Sequence, residues 1–141
     1  MLEQRASSIG AKIEPVVRKR AKYHQVKATY KGEKFDSLGE AEHAAKLESQ
    51  KLAKQIKNWW RPKPFIVLDG PTPRSRVTFR PDFGVEYHDG HVTYYDYKGS
   101  THTMTQAWRI KMKLWTNSQP YDMYVVFPDG REQLVAPAKT R

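Results

Sequence analysis

The sequence predicts an α/β fold of the α+β kind, with a central mixed sheet flanked by helices in the order αβββαβ. Three observations carry that expectation. A helix-period stretch runs over 37–57, short alternating or apolar stretches fill 58–98, and a second helix-period stretch over 103–116 precedes the apolar run YDMYVVF. At 141 residues the chain suits one domain with its own core.

Residues 1–22 carry Arg5, Lys12, Arg18, Lys19, Arg20 and Lys22 but few large apolar side chains. Such a segment buries too little surface to offset its ordering entropy, so a flexible basic arm with at most a short helix is expected. The folded domain then spans 23–136, and 137–141 is a tail. Between His24 and Phe35, Val26, Ala28 and Tyr30 alternate with polar neighbours and Gly32 marks a turn, which predicts a short hairpin.

Ser37 opens a helix reaching Lys57, with Leu38, Ala41, Ala45, Leu52 and Ile56 on one face. WWRPKPFIVL reads as one strand whose Pro62 and Pro64 suit an edge or a strand start. DGPTPRSR reads as a loop. Strands over 77–87 and 91–98 follow, and the helix over 103–116 carries Ala107, Ile110, Leu114 and Trp115. YDMYVVF has the apolar character of a strand inside a sheet, and Pro128-Asp129-Gly130 turns the chain into a short strand near 133–135.

Lys and Arg number 25 against 15 Asp and Glu, a formal charge of +10. An excess of this size points to a polyanionic partner, nucleic acid before a membrane surface. No cysteine is present, which removes disulfides and thiolate metal sites. The start, MLEQRASSIG, lacks an apolar segment, and no run approaches the roughly 18 residues that cross a bilayer. A soluble, cytoplasmic protein without membrane contact is therefore expected.

The stretch FRPDFGVEYHDGHVTYYDYKGS, 79–100, places Asp82, Asp96 and Lys98 within a hairpin where charge is costly unless paired or coordinated. Along 77–87 the apolar residues Val77, Phe79, Phe83, Val85 and Tyr87 fall on odd positions, so Asp82 points away from them. A two-residue turn at Asp89-Gly90 would pair 88 with 91 and send Asp96 to the face opposite Asp82. A three-residue loop with Gly90 left-handed instead pairs Tyr87 with His91, Asp82 with Asp96, and Arg80 with Lys98. It also sets Phe83 beside Tyr95, so the apolar pattern favours it.

In that register two carboxylates face each other with Cβ atoms about 5 Å apart, and like charges so placed repel. Three remedies stand open. The carboxylates can share a proton, a divalent cation with oxygen ligands, Mg²⁺ or Mn²⁺, can bridge them, or Arg80 and Lys98 can neutralise them as an ion-pair cluster.

The order S-x-x-E on a first helix, P-D on one strand and D-x-K on the next resembles the PD-(D/E)XK nuclease superfamily. It looks most like the small phage-encoded Holliday-junction-resolvase-like endonucleases. The likeness spans KYH, TYKGEKFDSLGEAE, VTFRPDFGVEYHDGHVTYYDYKG, the second helix and YDMYVVF, from Lys22 to Phe127. It implies a restriction-endonuclease-like core and makes Asp82 the central metal ligand. Asp96 becomes the second acidic ligand, where the superfamily often has Glu, and the carbonyl of Tyr97 completes the shell. Lys98 takes the role of orienting the attacking water, and Glu40 that of a helix carboxylate reaching the same site. The catalytic set implied is Glu40, Asp82, Asp96 and Lys98, with Mg²⁺ as cofactor and Mn²⁺ able to substitute.

Glu40 has a second reading. Ser37-Leu38-Gly39-Glu40 is also a capping box, and Glu40 lies about 120° from the apolar stripe by helical-wheel counting, outside the core. Substrate grip falls to Arg18, Lys19 and Arg20 of the arm and to Arg109, Lys111 and Lys113 of the second helix, whose phosphate contacts give affinity without sequence readout. For the helix residues a solvated face is equally open. The histidines at 24, 43, 88, 91 and 102 lack metal-ligand spacing, and the tryptophans at 59, 60, 108 and 115 read as core or interface before base stacking.

The function so implied is metal-dependent cleavage of branched DNA, foremost resolution of four-way junctions. Symmetric cutting of such a junction needs two sites and hence a homodimer. The setting is a bacterial cytoplasm if the chain is phage-encoded. A less specific nicking or DNA-processing endonuclease and a non-catalytic DNA-binding module are the alternatives.

Overall fold

The structure, a computed structural model, describes residues 12–15 and 27–140. It is α+β, with a mixed central sheet and two α-helices among the described residues. The chain divides into two compact units, one ending at Ile56 and the other beginning at Lys57. The expected domain 23–136 spans both.

The first unit is a three-stranded antiparallel sheet with a helix packed on it. β1 (Ile13–Pro15), β2 (Ala28–Tyr30) and β3 (Glu33–Phe35) lie in that order, and α1 (Leu38–Leu52) follows. The expected hairpin forms between β2 and β3, turning at Lys31 and Gly32 with φ of 51° and 80°. The expectation of an arm through residue 22 needs correction at β1, where Ile13 is buried opposite Tyr30. One apolar residue with a backbone partner suffices there, a pairing that composition cannot reveal. Arg18, Lys19 and Arg20 lie outside the described residues.

Helix α1 starts where its cap residue predicts, with Ser37 Oγ accepting the amide of Glu40 at 3.1 Å. It stops at Leu52, short of the expected Lys57. Lys54 adopts φ of 60°, its amide returning to Lys51 O at 3.0 Å and that of Gln55 to Gln50 O at 2.9 Å, a Schellman closure. Ala41, His43, Ala44, Ala45 and Leu47 are buried, and so is Glu40, contrary to its expected place outside the core. Leu52, expected on the apolar face, is 63% exposed.

The second unit holds the central sheet. β4 (Asn58–Trp60), β7 (Phe83–Glu86), β8 (Val92–Tyr97), β9 (Met123–Val126) and β10 (Glu132–Ala136) form it in the order β10-β9-β8-β7-β4. Only β8 and β9 run parallel, joined by the crossover helix α2 (Gln106–Ser118). β5 (Phe65–Leu68) and β6 (Val77–Phe79) form a separate hairpin.

Two expected strands are thus each cut in two. WWRPKPFIVL supplies β4 to the main sheet and β5 to the small one, because Pro62 and Pro64 give no amide to a ladder. Residues 77–87 likewise break at Arg80-Pro81-Asp82, with Pro81 fully buried at the crossing. Gly84 is required where β4 meets β7, since a Cβ there would lie 2.5 Å from the Trp60 indole.

Helix α2 covers one face of the sheet with Trp108, Met112 and Trp115, which pack on Tyr94, Met123, Val125 and Val67. Of the expected Ala107, Ile110, Leu114 and Trp115, Trp115 lies at the centre of this stripe and Leu114 packs at its margin, whereas Ala107 is exposed and Ile110 is 51% exposed. Trp108 and Met112 join Trp115 at helical spacing, and the larger side chains bury more area than Ala107 would. Trp115 is fully buried and its indole N–H donates to Tyr121 O at 2.6 Å. Truncating a side chain so placed costs about 3–5 kcal/mol.

Candidate functional site

The β7–β8 hairpin sets the geometry. Phe83 lies opposite Tyr95, Val85 opposite Thr93 and Glu86 opposite Val92, a register that places Tyr87 across from His91. The Tyr87 amide donates to His91 O and that of Gly90 to Tyr87 O, each at 3.0 Å, and Gly90 has φ of 92°. The three-residue loop expected from the apolar pattern is therefore the one formed.

At the open end Asp82 sits in the bend just before β7. Its amide donates to Tyr95 O at 3.0 Å and its Oδ2 accepts the Tyr97 amide at 2.8 Å, so the residue is fastened on both sides of Asp96. The carboxylate takes the amide that a continued strand would have satisfied, and Pro81 and Arg80 leave toward β6 instead. In an extended strand the N–H and C=O of one residue point to the same side, so the Tyr97 carbonyl also faces the edge where Asp82 lies.

Asp96 is 5% exposed. Its Oδ2 accepts the Trp108 indole N–H at 3.0 Å and lies 3.3 Å from Lys98 Nζ, while its Oδ1 accepts from none of the described residues. Lys98 stands over the Trp108 ring, 5.0 Å from its centroid, and its amide donates to Val126 O at 3.0 Å. A buried carboxylate is thus held by an indole and an ammonium, the kind of arrangement that keeps a charge in a dry environment.

The sequence-expected residues divide accordingly. Asp82, Asp96, Tyr97 and Lys98 come together at one end of the hairpin. Arg80 does not face Lys98, because the strand ends before it, and it is exposed. Glu40 belongs to the first unit, where Ser37 caps its amide. Arg109 and Lys113 line a groove of about 680 Å³ beside α2, bordered also by Trp108 and by Leu134 of β10. Lys111, half-buried, is not part of that lining. Among the described residues no three His, Cys, Asp or Glu side chains gather as a ready metal cluster.

Trp108 is the participant that sequence reasoning missed. Its position in the first turn of α2 gives no local sign that its indole reaches a carboxylate of β8. The turn end of the hairpin differs in character. Asp89 accepts the His91 amide at 3.0 Å and meets His91 Nδ1, and these hydrogen bonds hold its carboxyl below the usual range. On the other face the Tyr87 and Tyr95 hydroxyls share a hydrogen bond at 2.5 Å, and burial pushes both phenols up.

Among the described residues no helix is long and apolar enough to cross a membrane. No curated protein and no solved structure matches the chain. A family described as protein of unknown function, DUF1064, matches residues 20–129, most of the sequence, and the chain belongs to that family.

Proposed function

We propose that the protein is a metal-dependent endodeoxyribonuclease with a restriction-endonuclease-like core, acting on branched DNA and foremost on four-way junctions. The observation that carries this reading is the hairpin register, which puts Asp82 beside Tyr97 and Asp96 on the strand where Lys98 follows. The +10 charge and the groove along α2 lined by Arg109 and Lys113 support it further.

The donor set fits a hard divalent cation. Asp96 keeps Oδ1 without a donor among the described residues, Asp82 lies across the ladder, and the Tyr97 carbonyl faces the same edge. A bound Mg²⁺ or Mn²⁺ supplies charge neutralisation for the phosphoryl oxygens and lowers the pKa of a water nucleophile. The protein's share is to fix the two carboxylates, to hold the Lys98 ammonium beside them, and to seat the phosphate backbone against Arg109, Lys111 and Lys113. Arg18, Lys19 and Arg20 are assigned here as further phosphate contacts, and a homodimer as the unit that cuts both strands.

One observation favours a second reading. Asp96 already has its charge balanced by Lys98 at 3.3 Å, as in a structural ion pair, which suits a non-catalytic DNA-binding module. Incubating the protein with labelled four-way junctions, flaps, single strands and linear duplex, with Mg²⁺, Mn²⁺ or EDTA, separates these readings. Metal-dependent nicking of the junction is expected. Absence of cutting on every substrate with either metal leaves the binding module, and equal cutting of linear duplex leaves a less specific nuclease.

A further inference from the structure

Trp108 is 7% exposed and does three things at once. Its amide is accepted by Thr105 Oγ1 at 3.1 Å, which fixes it at the start of α2, its indole N–H reaches Asp96 Oδ2 at 3.0 Å, and its ring carries Lys98 at 5.0 Å. A carboxylate held through one oxygen has the orientation of the other set as well. Phe at this position would pack and still offer a face to Lys98, yet it has no N–H, so the indole donor is the separable element.

We propose that Trp108 is a positioning residue for a divalent cation at this site. By binding Asp96 Oδ2 and seating Lys98 on its ring, it presents Asp96 Oδ1 to the cation. The proposal rests on the nuclease reading above. Because Trp108 also borders the groove lined by Arg109 and Lys113, it ties the helix assigned to DNA grip to the carboxylate assigned to chemistry. Hydrogen-bond partners that orient metal-ligating groups typically matter 10–100-fold for metal affinity, so a change of about that size is the expected signature.

The test uses the full chain, with Mn²⁺ affinity followed by electron paramagnetic resonance and indole N–H resonances followed by NMR. Trp108→Phe is expected to keep the wild-type far-ultraviolet circular dichroism, to bind Mn²⁺ about 10–100-fold more weakly, and to recover junction cleavage as Mn²⁺ is raised. In the wild type, Mg²⁺ should shift the Trp108 indole resonance more than those of Trp59, Trp60 and Trp115, and Asp82→Asn should abolish the shift. This titration decides the matter even if Trp108→Phe does not fold. Mn²⁺ affinity within twofold of wild type in Trp108→Phe, or a Trp108 resonance unmoved at saturating metal, overturns the positioning role while the nuclease reading stands. A wild type that neither binds Mn²⁺ nor cuts DNA overturns both.

Discussion

The two ends of the β7–β8 hairpin each carry an aspartate and a cationic partner, and they use them in opposite ways. At the turn, Asp89 and His91 have side chains 69% and 56% exposed, and their contact is screened by water. At the open end, the side chains of Asp96 and Lys98 are 7% and 14% exposed, with the Trp108 indole closing over them. The residue types are alike and the surroundings decide the outcome. A pair in water is nearly dispensable, whereas a dry pair must be complete or the charge left behind is costly. A buried pair of this kind is weak evidence for stabilisation in itself, which is why a catalytic explanation for it is worth testing.

The comparison breaks most visibly at Lys98. Lys98→Ala leaves Asp96 buried without its cation, and a loss of about 3–5 kcal/mol in urea-denaturation stability is expected. Replacing both residues together, Asp96→Leu with Lys98→Met, should recover most of it. If the double variant is no better than the single one, the pair is not the origin of the loss.

A buried titratable group elsewhere, His43 in α1, gives the next effect. Burial, reinforced by Lys46, lowers its pKa from 6.5 to about 4. Between those values the unfolded chain binds a proton that the folded one does not, so stability is complete above about pH 6.5 and falls as pH drops toward 4. The gap corresponds to about 3 kcal/mol. His43→Leu should flatten that slope between pH 7 and pH 4.5 in urea titrations, and an unchanged slope would show that other groups produce it.

Smaller still is Gly90→Ala. Its φ of 92° disfavours any Cβ, although nothing lies within 4 Å of one, so the expected cost is backbone strain alone, about 1 kcal/mol in thermal unfolding. The least effect belongs to Asp89→Ala, whose denaturation midpoint should match that of the wild type within error. A clear loss there would erase the contrast between the two ends.

These positions also mark how far the sequence could be read. The hairpin register was legible because it follows from local facts, a glycine able to take positive φ and an alternation that forces Phe83 beside Tyr95. The start of α1 was legible at Ser37 for the same reason. The strand breaks were not. Pro62 and Pro64 announced an interruption, but which sheet received each half depends on partners distant in the chain, as does the departure of Arg80 from the ladder. The Asp82, Asp96 and Lys98 set was found from spacing, whereas Trp108 was missed because its indole acts across an interface between α2 and β8 that spacing does not encode. Glu40 was expected outside the core on helical-wheel counting and is buried, since the stripe in α1 is built on small alanines and is wider than its few leucines suggest.

The most direct measurement of the central claim pairs cleavage with binding in Asp96→Asn and Asp82→Asn, using a labelled four-way junction under single-turnover conditions with Mg²⁺ and gel-shift affinity without it. Each change removes one negative charge, keeps the side chain's shape and leaves the cationic groove of α2 intact. The account predicts cleavage reduced at least about a hundredfold, in line with loss of a metal ligand, and junction affinity within about threefold of wild type. Cleavage by either variant at the wild-type rate would contradict it.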